Sequence, residues 1–325
     1  MTSSIVAFFL GGTISMTGHD GGVVSRVGAA ELVEAVPALG SLDVRLEARD
    51  FRRLPSACLS FDDILELADV AAGCDADGIV VVQGTDTIEE TAYLIDLVWT
   101  KATPVVVTGA MRNASMAGAD GPANLLGAVA AASSGRFDGI GAVVVFNDEV
   151  HAARWVRKTH STSTATFASP NAGPIGHLVE GRAVPVASVP RRAQHAPVRP
   201  ITARVPLLTI GLDDDGQLLA ALRENCDGLV VAGFGVGHVP DRLAGALGDL
   251  ARQVPVVLTS RTGSGPVLSH TYGFAGSETD LLDRGLISGG LLDPYKARVL
   301  LRVALGCGYD RAQLAAAFAE ASGLA

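Results

Sequence analysis

Ile5-Val6-Ala7-Phe8-Phe9-Leu10-Gly11-Gly12-Thr13-Ile14-Ser15 is the stretch from which the rest of the chain can be read. Six consecutive apolar residues, Ile5–Leu10, fit a strand buried on both faces, the pattern of a parallel sheet. Two glycines then permit a sharp turn that a side chain would obstruct. Thr13, the first hydroxyl past the turn, stands at the carboxyl end of a strand, where open α/β sheets bind ligands. It is either a nucleophile or a helix N-cap, and the stretch alone supports both readings equally.

The same device recurs. Gly78–Gln83 is a second buried strand, followed by Gly84-Thr85-Asp86-Thr87. Thr87 and Glu90 have the spacing of a capping box for a helix over Ile88–Thr100, whereas Thr85 has no evident structural task. Further strands are expected at Leu42–Arg49, Pro104–Thr108 and Gly141–Phe146, and further helices at Ala29–Val36, from a Ser60 N-cap to Ala72, and at Pro122–Ser133. Ser56 lies in the loop before Ser60 without a capping role. The β-α alternation implies a doubly wound, mostly parallel sheet.

After Asn147-Asp148 the pattern breaks. Arg154–Thr166 is polar, has no helical period and contains Lys158, the one lysine between Lys101 and Lys296. Five prolines between Ala183 and Pro206 mark a linker, taken as 186–205. A smaller β-α set follows, with strands at Leu207–Ile210, Gly228–Ala232 and Val254–Leu258. Its helices fall at Leu218–Asn225, Asp241–Gln253, Tyr295–Leu305 and Arg311–Glu320, and Ser260–Pro294 reads mainly as glycine-rich loop. The expected fold is therefore two-domain α/β. Residues 1–185 form a larger doubly wound domain carrying most of the site, and 206–325 form a smaller α/β domain.

Composition narrows the function. The 325 residues are 48% hydrophobic and 18% charged, with a net charge of −9. Lys and Arg are scattered, which argues against a nucleic-acid or anionic-membrane surface. No apolar run approaches the ~18 residues that span a bilayer. Four cysteines show neither a CxxC pair nor zinc-like spacing, so a reducing, cytoplasmic setting is expected. No HExxH, P-loop or GxGxxG fingerprint is present, so no cofactor or metal is expected. What remains is two hydroxyls at strand ends (Thr13, Thr85), a carboxylate (Asp86) and an amine (Lys158), a set suited to acyl transfer.

These residues also carry a family resemblance. Gly11-Gly12-Thr13-Ile14 and Gly84-Thr85-Asp86-Thr87 resemble the two signature motifs of bacterial-type L-asparaginases and glutaminase-asparaginases. Val107–Arg112, Ala119–Leu125 and Leu292–Arg298 resemble further blocks of that family. The resemblance implies hydrolysis of a small-molecule side-chain amide, L-asparagine first, by double displacement without a cofactor. It matches Thr13 to the nucleophile, and Thr85, Asp86 and Lys158 to the catalytic triad. Ser56, Gly84 and Asp86 match substrate contacts. It further implies a homotetramer, a dimer of dimers, in which Glu278 is donated across the interface to the substrate ammonium.

Some positions depart from the family. No tyrosine precedes Tyr93, although the family's lid, here Ser15–Val23, usually carries one. Val236 and His238 stand where asparagines are frequent, and Gln83 stands where many members have histidine. Cys74 lacks its disulfide partner near Lys101-Ala102-Thr103. The same chemistry on L-glutamine, D-asparagine or a β-aspartyl derivative is the alternative, and a non-catalytic amino-acid sensor a further one.

Overall fold

A computed structural model describes residues 2–12, 14, 16–17, 24–25, 28–191 and 193–323, the pairs 16–17 and 24–25 by backbone alone. Thr13 lies outside the described residues, as does the expected lid apart from Met16–Thr17. The chain divides into two compact units, 1–194 and 195–325.

The first unit contains β1 (Ser3–Phe9), β2 (Met16–Thr17), β3 (Val24–Ser25), β4 (Val44–Asp50), β5 (Gly78–Val82), β6 (Val105–Thr108), β7 (Ala142–Phe146) and β8 (Glu149–Ala152). It continues with β9 (Arg157–Lys158), β10 (Phe167–Ala168), β11 (Gly176–Val179) and β12 (Arg182–Pro185). Its helices are α1 (Ala29–Glu34), α2 (Phe61–Ala72), α3 (Ile88–Val98) and α4 (Gly121–Ser133). The main sheet has eight strands in the order β12-β11-β8-β7-β6-β5-β1-β4. β4, β1, β5, β6 and β7 run parallel, and β8, β11 and β12 extend the sheet antiparallel. As the apolar runs require, β5, β6 and β7 are buried along their whole length. The second unit holds a four-stranded parallel sheet in the order β13 (Leu207–Thr209), β14 (Leu229–Gly233), β15 (Val256–Ser260) and β16 (Ile287–Ser288). Around it run α5 (Gln217–Leu222), α6 (Asp241–Ala251), α7 (Glu278–Asp283), α8 (Pro294–Gly306) and α9 (Arg311–Ser322).

The strand order locates the site. From β1 the chain steps to β4 on one side, then crosses to β5 on the other. The carboxyl ends of β1 and β5 therefore flank the point where the order reverses, the usual crevice of an open α/β sheet. Beyond these ends the backbone stays zipped. Leu10 N–H donates to Val82 O at 2.9 Å, and Leu54 N–H to Leu10 O at 2.9 Å. Gly12 has φ +93°, and a Cβ there would lie 2.2 Å from Gly84 N. A Cβ on Gly84 would in turn meet Ser56 Oγ at 2.7 Å. The segments after β1 and β5 thus touch backbone to backbone, which only glycine permits, and the Ser56 side chain after β4 closes against Gly84.

Two expectations need correction. Ser260–Pro294 is not mainly loop, since it contains α7 and β16. The Ser60 capping box on α2 is formed, with Asp63 N–H donating to Ser60 Oγ, but the Thr87–Glu90 box is not. Thr87 occupies the N-cap of α3 without a side-chain capping bond.

Gly12→Ala is expected to lower the unfolding free energy by at least ~2 kcal/mol in urea titration, whereas Gly40→Ala, with nothing within 4 Å of the new Cβ, stays within about 0.5 kcal/mol.

Candidate active site

At the carboxyl end of β5, Thr85–Thr87 form one 3-10 turn leading into α3. Thr85 is 6% exposed, while the Asp86 side chain is 65% exposed. The two hydroxyl-bearing neighbours of Asp86 therefore point inward while its carboxylate faces solvent. Lys158, 73 residues further on, bridges them. Its Nζ donates to Thr85 Oγ1 at 2.9 Å and to Asp86 Oδ1 at 3.0 Å. Its side chain is 16% exposed, so the ion pair is partly desolvated.

Ser56 opens the 3-10 turn Ser56–Cys58 after β4 and is 2% exposed. Its Oγ accepts from Asp86 N–H at 3.2 Å. Thr87 explains its missing cap by a lateral task, donating its hydroxyl to Ser56 O at 3.2 Å and accepting from Gln83 Nε2 at 3.3 Å. Gln83, fully buried, also donates to Gly84 O at 3.3 Å. The structure thus brings Thr85, Asp86, Lys158, Ser56 and Gly84 together.

Lys158 reaches the site from β9. That short strand pairs antiparallel with β10, Lys158 opposite Phe167. Phe167 packs on Phe146 of β7, ring centroids 4.8 Å apart. Ser169, just past β10, shares a hydrogen bond of 3.0 Å with Nδ1 of the fully buried His151 on β8. Burial pushes the His151 imidazole below its ordinary value. Nearby Glu149 opposes this shift and His177 adds to it.

Glu278 sits in the second unit and is 0% exposed. Its Oε1 accepts from Thr271 and Tyr272 N–H at 3.1 and 2.8 Å, and its Oε2 lies 3.1 Å from His238 Nε2. Burial alone would raise its pKa, but the backbone donors and His238 outweigh burial and hold the carboxyl below its usual range. The Tyr272 and Phe274 rings stack edge-on against His238, both about half exposed.

Sequence reasoning missed two residues. Glu89, 7% exposed on α3, accepts Lys158 N–H through Oε2 at 3.1 Å. Asn124 on α4 links Gly109 O to Asn147 N–H. No sequence signal set Glu89 apart from the adjacent Glu90; its burial does, because a buried carboxylate needs a partner. Among the described residues, no group of three or more His, Cys, Asp or Glu is placed to hold a metal ion, and no helix is long and apolar enough to cross a membrane. Cys58, Cys74, Cys226 and Cys307 are all free thiols.

Residues 4–190 match the model of the asparaginase N-terminal domain, and residues 204–318 match that of the glutaminase/asparaginase C-terminal domain. The chain belongs to the asparaginase family. As a member it is an amidohydrolase. It is 35% identical to a probable L-asparaginase of Deinococcus radiodurans, over 93% of this chain and 96% of that one. It is 33% identical to L-asparaginase 2 of Escherichia coli, over 93% and 88%. The crystal structure of a probable cytoplasmic L-asparaginase from Campylobacter jejuni superposes with a TM-score of 0.87 at 31% identity, covering 98% of this chain and 99% of that one.

Two outcomes are expected. Thr87→Val removes one hydrogen bond each from Ser56 O and Gln83 Nε2 and should lower stability by about 1–3 kcal/mol in chemical denaturation, with Thr87→Ser losing under ~1 kcal/mol. Because the folded protein holds His151 below its unfolded value, the unfolded chain takes up the proton first. Stability should therefore fall as pH drops from about 7.5 to about 5.5, and His151→Gln should flatten that decline in urea titrations at the two pH values.

Proposed function

We propose that the protein hydrolyses the side-chain amide of L-asparagine to L-aspartate and ammonia through a threonine acyl-enzyme. The single observation that carries this reading is the Lys158 bridge to Thr85 Oγ1 and Asp86 Oδ1 at the switch point of the sheet. Family membership and the names of the relatives supply the substrate.

In this proposal Thr13, next in the chain after Gly12, attacks the amide carbon. The new C–O bond turns the carbonyl into a tetrahedral oxyanion, whose collapse breaks the C–N bond, and ammonia leaves with the proton given up by the hydroxyl. Water then attacks the acyl-enzyme, releasing aspartate and restoring Thr13. Thr85 and Lys158 pass the protons of these steps between Oγ1 and Nζ, contacts already at hydrogen-bond distance. Backbone N–H groups near Gly12 and Thr85 stabilise the oxyanion, a term worth about 3–4 kcal/mol per donor elsewhere. Asp86 pairs with the substrate ammonium, for which its exposed carboxylate is suited, while Ser56 and Gly84 form the floor beneath the carboxylate end. The proposal includes a homo-oligomer in which Glu278, locked by Thr271, Tyr272 and His238, serves the site of a neighbouring subunit, and a cytoplasmic location.

Ammonia release should be rapid with L-asparagine and slower with L-glutamine or D-asparagine. Lys158→Met and Thr13→Ala should each lower kcat by about 10²–10⁴-fold. No release from L-asparagine by the folded oligomer, or full activity in Lys158→Met, would overturn the reading.

A further inference from the structure

We propose that Glu89 is the positioning residue for Lys158, setting its amine between Thr85 and Asp86 by gripping its backbone. This rests on the proposed role of Lys158 in proton transfer. Thr85, Asp86 and Glu89 belong to one continuous segment, the 3-10 turn and the first turn of α3. That segment holds Lys158 at two points, the Nζ through Thr85 Oγ1 and Asp86 Oδ1 and the backbone N–H through Glu89 Oε2.

On the side away from α3, the Lys158 backbone pairs with β10 opposite Phe167. β9 is just two residues long. The neighbouring ladder bond, Thr159 N–H to Thr166 O at 2.8 Å, leaves the Lys158 N–H turned to α3, where Glu89 takes it. A lysine side chain is long and rich in rotamers, so a fixed Cα narrows the positions its amine can reach. Glu89 is buried and its carboxylate meets the Lys158 backbone rather than the amine, so it is placed to act through Lys158 on the proton-transfer step.

Two conservative variants separate reach from charge. Glu89→Gln keeps an acceptor oxygen at the same reach, and Glu89→Asp keeps the charge but falls short by one methylene. With L-asparagine, Glu89→Asp is expected to lose at least about tenfold in kcat with KM within about twofold, and Glu89→Gln to stay within about threefold of the wild type in both. Wild-type activity in Glu89→Asp, an equal kcat loss in both variants, or a change carried by KM would overturn the proposal. Amide hydrogen exchange at Lys158 in the unmodified enzyme gives a measurement independent of variant folding and of turnover. The proposal expects protection comparable with Thr159, and exchange at the rate of an open amide would overturn it. If the enzyme releases no ammonia from L-asparagine while Lys158 is protected, the substrate assignment fails and the grip on Lys158 stands.

Discussion

The contact between Gly12 and Gly84 is the constraint on which the site depends. Two buried parallel strands can end side by side only if the turns leaving them do not collide. Here the turns pass with no room for a Cβ on either partner. Ser56 closes on Gly84 from the third side, bringing the ends of β4, β1 and β5 into one floor. Close-packed main chain, together with the buried Ser56 hydroxyl, therefore sets where Thr85 and Asp86 stand. A hydrolase needs this, since misplacing reacting groups by about 1 Å can slow a reaction by about 10².

Lys158 meets that floor by a longer route. It hangs on a two-residue strand, secured to the main sheet through the Phe167–Phe146 stack and the Ser169–His151 bond. Delivery from a separate element lets the amine stand over Thr85 without entering the crowded backbone contact. It also means the site is only as well ordered as the polar and aromatic ties beneath β9.

Most strands that the sequence revealed were those buried on both faces, because their apolar runs owe nothing to distant partners, while the half-buried β4 showed as alternation. β8 to β12 left little trace, being two to four residues long and paired through tertiary context. Thr87 was misread because a hydroxyl three residues before a glutamate looks the same whether it caps its own helix or reaches sideways to Ser56. α7 and β16 were hidden in a glycine-rich background. The meeting of Lys158 with Thr85 spans 73 residues and follows from no periodicity, so only the family motifs anticipated it. Glu89 escaped notice because the neighbouring Glu90 has the same chemistry, and burial alone tells them apart.

The chain has three lysines, and each meets a different fate. Lys101 is exposed, Lys296 is fully buried against Asp293, and Lys158 is tied into the crevice. Side-chain amine chemistry, such as polymer conjugation or attachment to a solid support, therefore has one open target, and it lies outside the crevice. A reagent forced to higher substitution would find its next amine in the crevice itself. Heavily derivatised preparations of this enzyme would lose turnover while remaining folded.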